Sequence, residues 1–176
     1  NRILLMSALG DRVKQIALQG IAIEWRKQGH ELSGQAVRNM DAIELPISLG
    51  IRIEGYLPDY MAYLNAGIPG PRIPYSPGSG ARHSKYIEGL KQYAKARMNA
   101  SDKEALGIAF AIASKHKREG MPTRSSARFS QTGKRTGFIE IALDALTPQI
   151  EEAIREELAI VWENEIETMF KSILNR

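Results

Sequence analysis

The clearest pattern along the chain is a strict alternation of apolar and polar residues between Ile43 and Glu54. Its apolar positions are Ile43, Leu45, Ile47, Leu49, Ile51 and Ile53. A period of two is typical of a β-strand with one buried and one solvated face. Pro46 cannot donate a hydrogen bond to a neighbouring strand, and a glycine such as Gly50 often marks a bend. The segment therefore predicts an edge strand or a hairpin rather than one central strand.

An aromatic run follows the alternating segment and ends in a glycine. Leu57-Pro58-Asp59 supplies a turn, and Tyr60-Met-Ala-Tyr-Leu-Asn-Ala-Gly67 then predicts a return to extended structure. Together the two segments predict a small antiparallel sheet of two or three strands.

Apolar residues recur at steps of three and four in the other regular regions, which is the period of a helix packed on one side. We expect a first helix from about Ile3 to Gln28, ended near Gly29, and another from about Tyr86 to Met98. Ser101-Asp-Lys-Glu104 has the spacing of a capping box that opens an alanine-rich helix. The small residues of that helix predict a central position against the sheet.

The C-terminal region predicts a last helix. Thr147-Pro148 has the residue types of an N-cap followed by proline at the first helical position, and Glu151 and Glu152 lie where the helix dipole favours acids. Trp162 and Phe170 widen the apolar side of this helix. The sequence thus predicts an α+β fold, with a small antiparallel sheet packed against a long N-terminal helix, a central alanine-rich helix and a C-terminal helix.

Two segments lack periodicity and separate the predicted elements. Residues 68–80 are rich in proline and glycine, and residues 117–135 gain glycine, serine and threonine. Both predict exposed loops or arms. A length of 176 residues suits a single domain over residues 1–176.

The composition excludes several classes of protein. There is no cysteine, which excludes disulfides, thiolate catalysis and sulfur-ligated metals. No apolar run approaches the roughly 20 residues of a membrane span, and no signal-peptide pattern is present. We therefore expect a protein made in a reducing cytoplasm, with no membrane partner.

Charge is segregated along the chain. The stretch from Lys115 to Arg135 holds seven basic residues and one acidic residue, whereas seven glutamates and three basic residues follow Thr147. Opposite patches on one molecule can select partner and register between identical copies, although either patch alone can be plain solvated surface. The candidate basic residues are Lys115, Lys117, Arg118, Arg124, Arg128, Lys134 and Arg135, and the candidate acidic interface is Glu151, Glu152, Glu156, Glu157 and Glu163.

The order of these segments resembles the tail-terminator and tail-completion proteins of tailed bacteriophages. The resemblance begins with the long N-terminal helix, a Ser-Gly connector at residues 33–39 and the alternating hairpin. The aromatic strand keeps Tyr60, Tyr63 and Gly67 at the family's spacing, with Asn-Ala in place of its acidic and aromatic pair. Residues 87–122 are similar to the helix, alanine-rich helix and Gly-x-Pro turn of family members, and residues 136–143 lie where the family has its Pro-Phe-Leu motif.

The resemblance spans residues 3–145 and implies a structural virion protein rather than an enzyme, with no cofactor. Family members close into rings at the head-to-tail junction of a particle assembled in the host cytoplasm. The implied partners are copies of the chain itself, the portal or adaptor, and the tail tube. Genomic DNA passes through such a ring and is a further candidate partner of the basic residues, because lysine and arginine neutralise phosphates. The alternative function is a basic DNA-binding module without catalytic activity.

Histidines and paired carboxylates give little support for catalysis. His30, His83 and His116 lie far apart and predict surface or capping roles. The neighbouring glutamates at 151–152 and 156–157 point in different directions on a helix. Pro77-Gly-Ser-Gly80 lacks the Gly-Lys-Ser ending of a phosphate loop. The sequence therefore predicts no metal site and no catalytic residue.

Overall fold

The computed structural model describes residues 2–47, 50–78 and 84–174. Within that part, the chain forms helices and one antiparallel hairpin, which confirms the predicted α+β class. The predicted positions Leu49, Gly80 and His83 lie outside it. The elements are α1 (Arg2–Lys27), α2 (Gln35–Arg38), β1 (Asp41–Ile47), β2 (Gly50–Tyr56), α3 (Asp59–Ala66), α4 (Lys85–Met98), α5 (Asp102–Glu119) and α6 (Phe138–Leu174), with short 3₁₀ helices at Gly70–Arg72 and Arg124–Phe129.

The chain divides into two compact units. The first combines Asn1–Glu24, Asn39–Leu57 and Ile139–Arg176, and contains the hairpin with most of α1 and α6. The second combines Trp25–Arg38 and Pro58–Phe138, and contains α2 to α5. The single tail-terminator-like domain over residues 1–176 stays a prediction.

The alternating segment forms the hairpin of β1 and β2, as predicted, but not with one apolar face. Ile47 pairs with Gly50, and Ile43 pairs with Glu54. Paired residues lie on the same face of a sheet. The odd-numbered residues of β1 therefore share a face with the even-numbered residues of β2. Because the alternation runs unbroken through the connection, Ile43 and Ile47 lie on one face of the hairpin and Ile53 lies on the other. The prediction of a single solvated face was therefore wrong.

In the first unit, α1 packs on β1 and runs antiparallel to α6. Gly10 leaves room for the Glu44 carboxylate of β1, since a Cβ there would lie 2.0 Å from its oxygen. Gly20 similarly adjoins Leu146 of α6. Arg12 and Glu156 form an ion pair at 2.7 Å between the same two helices. The predicted bounds of the first helix are confirmed, since α1 ends at Lys27 and Gly29 follows with φ of 72°.

The aromatic run at residues 60–67 forms helix α3, so its prediction as a strand was wrong. Pro58 precedes the helix at the N-cap, and Asp59 lies in the first turn, where the helix dipole favours an acid. The run contains no β-branched residue. Met61 is fully buried, which anchors the helix by packing. Tyr60, Tyr63 and Gly67 therefore belong to a helix and its end.

The core of the second unit lies between α4, α5 and the segment before α4. Ile73, Tyr75, Ile87, Ala109 and Ala113 form one buried cluster. The alanine face of α5, expected against the sheet, packs instead on α4 and on residues 73–75, because its small side chains admit their larger ones. The capping box of Ser101 and Glu104 at the start of α5 is confirmed.

Parts of both predicted arms pack into the second unit, whereas residues 76–78 and 131–134 are exposed and irregular, as predicted. Ile73 and Tyr75 of the proline-rich segment are buried, and Ile68 forms a β-bridge with Met121. Residues 117–119 belong to α5, and the amide of Gln131 donates to the Lys27 carbonyl at 2.8 Å. Proline and glycine set the backbone path of these segments, while their apolar and backbone groups fix them to the unit.

Helix α6 begins at Phe138, ten residues before the predicted start, and continues through Pro148. Phe138 and Ala142 are buried, so packing supports the turns that precede the proline. The Thr147 hydroxyl donates to the Leu143 carbonyl at 3.1 Å and does not cap a helix. Pro148 lacks the amide hydrogen that would bond to the Asp144 carbonyl. The helix therefore loses one hydrogen bond there but does not end.

Candidate functional site

Three of the seven predicted basic residues act within the fold. The Lys117 ammonium donates to the carbonyls of Pro71 and Ile73 at 3.2 and 3.1 Å, so it binds the 3₁₀ turn to α5. Lys115 donates to the Ser125 hydroxyl at 2.5 Å. Arg135 is half-buried and donates to the Gly29 carbonyl at 3.1 Å. These residues hold the second unit together and are less free to meet a partner than predicted.

Arg135 also binds His30, a partly buried histidine that was predicted at the surface. Arg135 Nη2 lies 3.2 Å from His30 Nδ1, so that nitrogen accepts, and Nε2 donates to the Arg135 carbonyl at 3.2 Å. The His30 ring stacks on Trp25 with centroids 4.6 Å apart. Burial and then the Arg135 charge lower the pKa of His30 to about 4. The prediction of a surface or capping role for His30 was therefore wrong.

His116 is also partly buried rather than at the surface. The Tyr86 hydroxyl and His116 Nδ1 share a hydrogen bond at 2.7 Å. Burial raises the pKa of Tyr86 to about 12 and lowers the pKa of His116. Both groups therefore stay neutral near pH 7, and the pair is a packing contact between α4 and α5.

The remaining basic residues, Arg118, Arg124, Arg128 and Lys134, are exposed. Lys115, Arg118 and Arg124 line a shallow groove of about 460 Å³ together with Glu119 and Ser125. We call Arg118, Arg124 and Arg128 the basic patch. Among the described residues none of the three forms an ion pair; Lys115 and Glu119, which line the same groove, pair with each other at 4.0 Å. Their charges are therefore available to an acidic partner.

An exposed aromatic ring accompanies the basic patch. Phe129 is 56% exposed, and the Arg128 guanidinium lies 4.8 Å from its ring centroid. A guanidinium over a ring is attracted by the negative face of the ring, which holds both side chains in place. The surface next to the patch thus offers apolar area as well as positive charge.

The second exposed surface lies on the C-terminal half of α6. Among the large apolar residues there, five that share one side of the helix are 47 to 67% exposed. They are Leu158, Trp162, Ile166, Met169 and Ile173, which we call the apolar stripe. Their spacing of four, four, three and four residues keeps them on one side of the helix over about 22 Å. A helix normally buries such a stripe, so this one lacks a covering partner within the described chain.

The apolar stripe differs from the face by which α6 packs. The packed face contains the buried Ala142 and Ala153 and the partly buried Leu146 and Ile150. At about 100° per residue, the two faces lie roughly 165° apart around the helix. The stripe is therefore an additional surface and not an extension of the packed face.

The predicted acidic residues all lie on α6, and two of the five are already paired. Glu152 binds Arg155, and Glu156 binds Arg12 at 2.7 Å. Glu151 and Glu163 are exposed, and Glu157 is partly buried. None of these three forms an ion pair in the part of the chain that the structure describes. The sequence located the acidic helix, while the structure shows which of its charges are unpaired.

The motif residues Tyr60, Tyr63 and Gly67 do not form a site. Tyr63 is exposed, and Tyr60 contacts Trp25 edge-on with ring centroids 6.4 Å apart. Gly67 follows α3 with φ of 74° and ψ of 155°, a conformation almost restricted to glycine. Its place in the motif reflects this backbone requirement.

The described part of the chain contains no group of three or more His, Asp or Glu side chains that could hold a metal ion. Likewise, none of its described helices has the length and hydrophobicity to cross a bilayer. The basic patch and the apolar stripe are thus the strongest candidate surfaces that the structure offers.

Comparison with known proteins gives no match: no protein-family model, no curated protein and no solved structure is significantly similar to this chain.

Proposed function

We propose that the chain is a structural subunit that assembles with copies of itself into a ring at the head-to-tail junction of a tailed bacteriophage, where it joins the tail to the portal or adaptor. The observation that carries this proposal is the uncovered apolar stripe on α6. Half-exposed side chains of this size each gain on the order of 1 kcal/mol when a partner covers them. Five of them in one line favour a protein partner.

A ring follows if the partner is a second copy that binds through a different face. A contact between unlike faces repeats from subunit to subunit, and it closes when the rotation per subunit divides a full turn. The basic patch and the acidic α6 provide unlike faces on one chain. This segregation of charge supports unlike contacts between identical copies.

The place of the ring in a virion rests on the resemblance of the sequence motifs. The long first helix, the hairpin and the succession of α4, α5 and the turn at Gly120 and Pro122 occur in the order that the resemblance requires. The aromatic motif supports it less, because residues 59–66 are helical and not a strand. The virion location, the portal or adaptor and the tail tube are proposals on this basis.

Negative-stain imaging of the purified full chain tests the ring. The expected result is annular particles of uniform diameter at micromolar concentration. Compact particles of monomer size in every condition would exclude the ring.

A sequence-independent DNA-binding module is the second candidate, favoured by the unpaired arginines of the basic patch. Three phosphate contacts would give a slope of about −3 in a plot of log binding constant against log salt concentration. Titration of labelled duplex DNA with the wild-type chain measures this slope. A monomer that binds duplex DNA at physiological salt supports this candidate, and no binding at low salt excludes it.

A further inference from the structure

The apolar stripe has acidic residues on both sides. At about 100° per residue, Glu163 and Glu165 lie on opposite sides of the line through Trp162 and Ile166. Both are exposed, and neither belongs to an ion pair in the described chain. The ion pairs of residues 150–174 join Arg155 to Glu152, Lys171 to Glu167, and Glu156 to Arg12 of α1. The stripe is therefore an apolar surface framed by unpaired negative charge.

Two such stripes are a poor match for each other. Pairing them in either orientation brings the flanking glutamates of one helix towards those of the other. The unpaired acids beside the stripe are Glu163 and Glu165, because Glu156 and Glu167 already pair with Arg12 and Lys171. Like charges across an interface disfavour that pairing. The partner that fits has apolar area framed by positive charge.

That combination is present at the 3₁₀ helix Arg124–Phe129 and the adjoining end of α5. Phe129 supplies exposed apolar area, and Arg124 and Arg128 supply unpaired positive charge on the same short helix. Arg118 on α5 lines the groove that Arg124 also lines. Apolar area and positive charge are adjacent here, as the stripe requires.

We propose that the apolar stripe of α6 docks on the basic patch of a second copy of the chain, with Trp162 and Ile166 against Phe129 and with Glu163 and Glu165 facing Arg124 and Arg128. The proposal rests on the self-assembly given as the function and adds which two surfaces meet. The contact is head-to-tail, so an open assembly keeps one free stripe at one end and one free patch at the other until it closes.

A charge-exchange experiment on the full chain tests this pairing. One variant carries Glu163→Lys with Glu165→Lys, and the other carries Arg124→Glu with Arg128→Glu. Each variant alone opposes like charges, and we expect its apparent dissociation constant for assembly, measured by sedimentation velocity, to rise about tenfold or more. In an equimolar mixture, opposite charges meet wherever the two variants alternate, and we expect assembly to return to within about threefold of wild type.

The control variant carries Lys85→Glu with Lys103→Glu at exposed positions on α4 and α5, which changes the net charge as the arginine variant does. We expect it to assemble like the wild type, and circular dichroism should show unchanged helicity in all variants. A mixture that stays dissociated, or an Arg124→Glu, Arg128→Glu variant that assembles like wild type, overturns the docking while self-assembly stands. A wild-type chain that stays monomeric overturns both.

Discussion

His30 shows how a single residue couples the fold to pH. The pKa of His30 is about 4 in the folded chain and 6.5 in its ordinary environment. The unfolded chain therefore takes up this proton at a higher pH than the folded chain does. The stabilisation from neutral His30 is complete above pH 6.5 and is lost progressively as pH falls to about 4. Because the ring is only partly buried, we expect a loss on the order of 1–2 kcal/mol over that range.

Urea unfolding between pH 7 and pH 4 measures this effect in the wild type and in His30→Phe. The variant keeps an aromatic ring beside Trp25 but cannot titrate, so its free energy of unfolding should fall less over the same range. His116 stays in both proteins and contributes a slope of the same sign. Equal slopes for the two proteins would show that His30 is not held neutral.

Gly67 illustrates a backbone requirement at one residue. Its φ of 74° and ψ of 155° strain any residue with a Cβ, so Gly67→Ala should lower the free energy of unfolding by about 1–3 kcal/mol. The control is Gly89→Ala in α4, where a Cβ meets nothing within 4 Å. That change should raise stability by about 0.5–1 kcal/mol. Urea titration of both variants measures these opposite changes in the free energy of unfolding. If Gly67→Ala lost no stability, the assigned conformation would be contradicted.

The environments of single residues were the least predictable feature. The sequence identified His30 and Arg135 but placed both at the surface, because their contact joins positions 105 residues apart. Lys117 was also predicted to face a partner, and only the approach of the 3₁₀ turn shows that it binds carbonyl oxygens. A basic residue type does not say whether its charge is used inside the fold.

Among the elements, the start of α5 depends on a local capping box. The Ser101 amide and hydroxyl donate to Glu104 Oε2 at 3.0 and 2.6 Å, and these hydrogen bonds lower the pKa of Glu104. Ser101→Ala should therefore lower the free energy of unfolding by about 1 kcal/mol. Ser172→Ala, on exposed α6, is the control and should change it by less than about 0.5 kcal/mol. Equal effects of the two changes in thermal or urea unfolding would rule out a stabilising cap.

Elements with local signals were predicted well, and elements decided by distant packing were not. The capping box and the end of α1 near Gly29 depend on neighbouring residues and are confirmed. The alternating segment correctly predicted strands, but the faces depend on the register between them. For α3, aromatic composition favoured a strand, whereas the burial of Met61 and the preceding Pro58 favour a helix. Pro148 suggested a helix start that the packing of earlier turns overrides.

At the scale of the whole molecule, the sequence predicted the segregation of charge but not which apolar residues remain uncovered. The period of α6 predicted one apolar stripe, and the structure contains a packed face and an exposed stripe on different sides of that helix. Hydrophobic spacing cannot distinguish a face covered by the same chain from a face that a partner covers. The proposed assembly therefore rests on the exposed stripe, which the structure shows and the sequence pattern did not distinguish.

Sedimentation velocity of the purified wild-type chain over a range of concentrations tests the account most directly. We expect a single closed assembly that is lost in Trp162→Glu with Ile166→Glu, because these changes place charge in the apolar stripe. Met98→Glu alters another exposed apolar residue, on α4, and should leave the assembly intact. A wild-type chain that sediments as a monomer at every concentration would contradict the account.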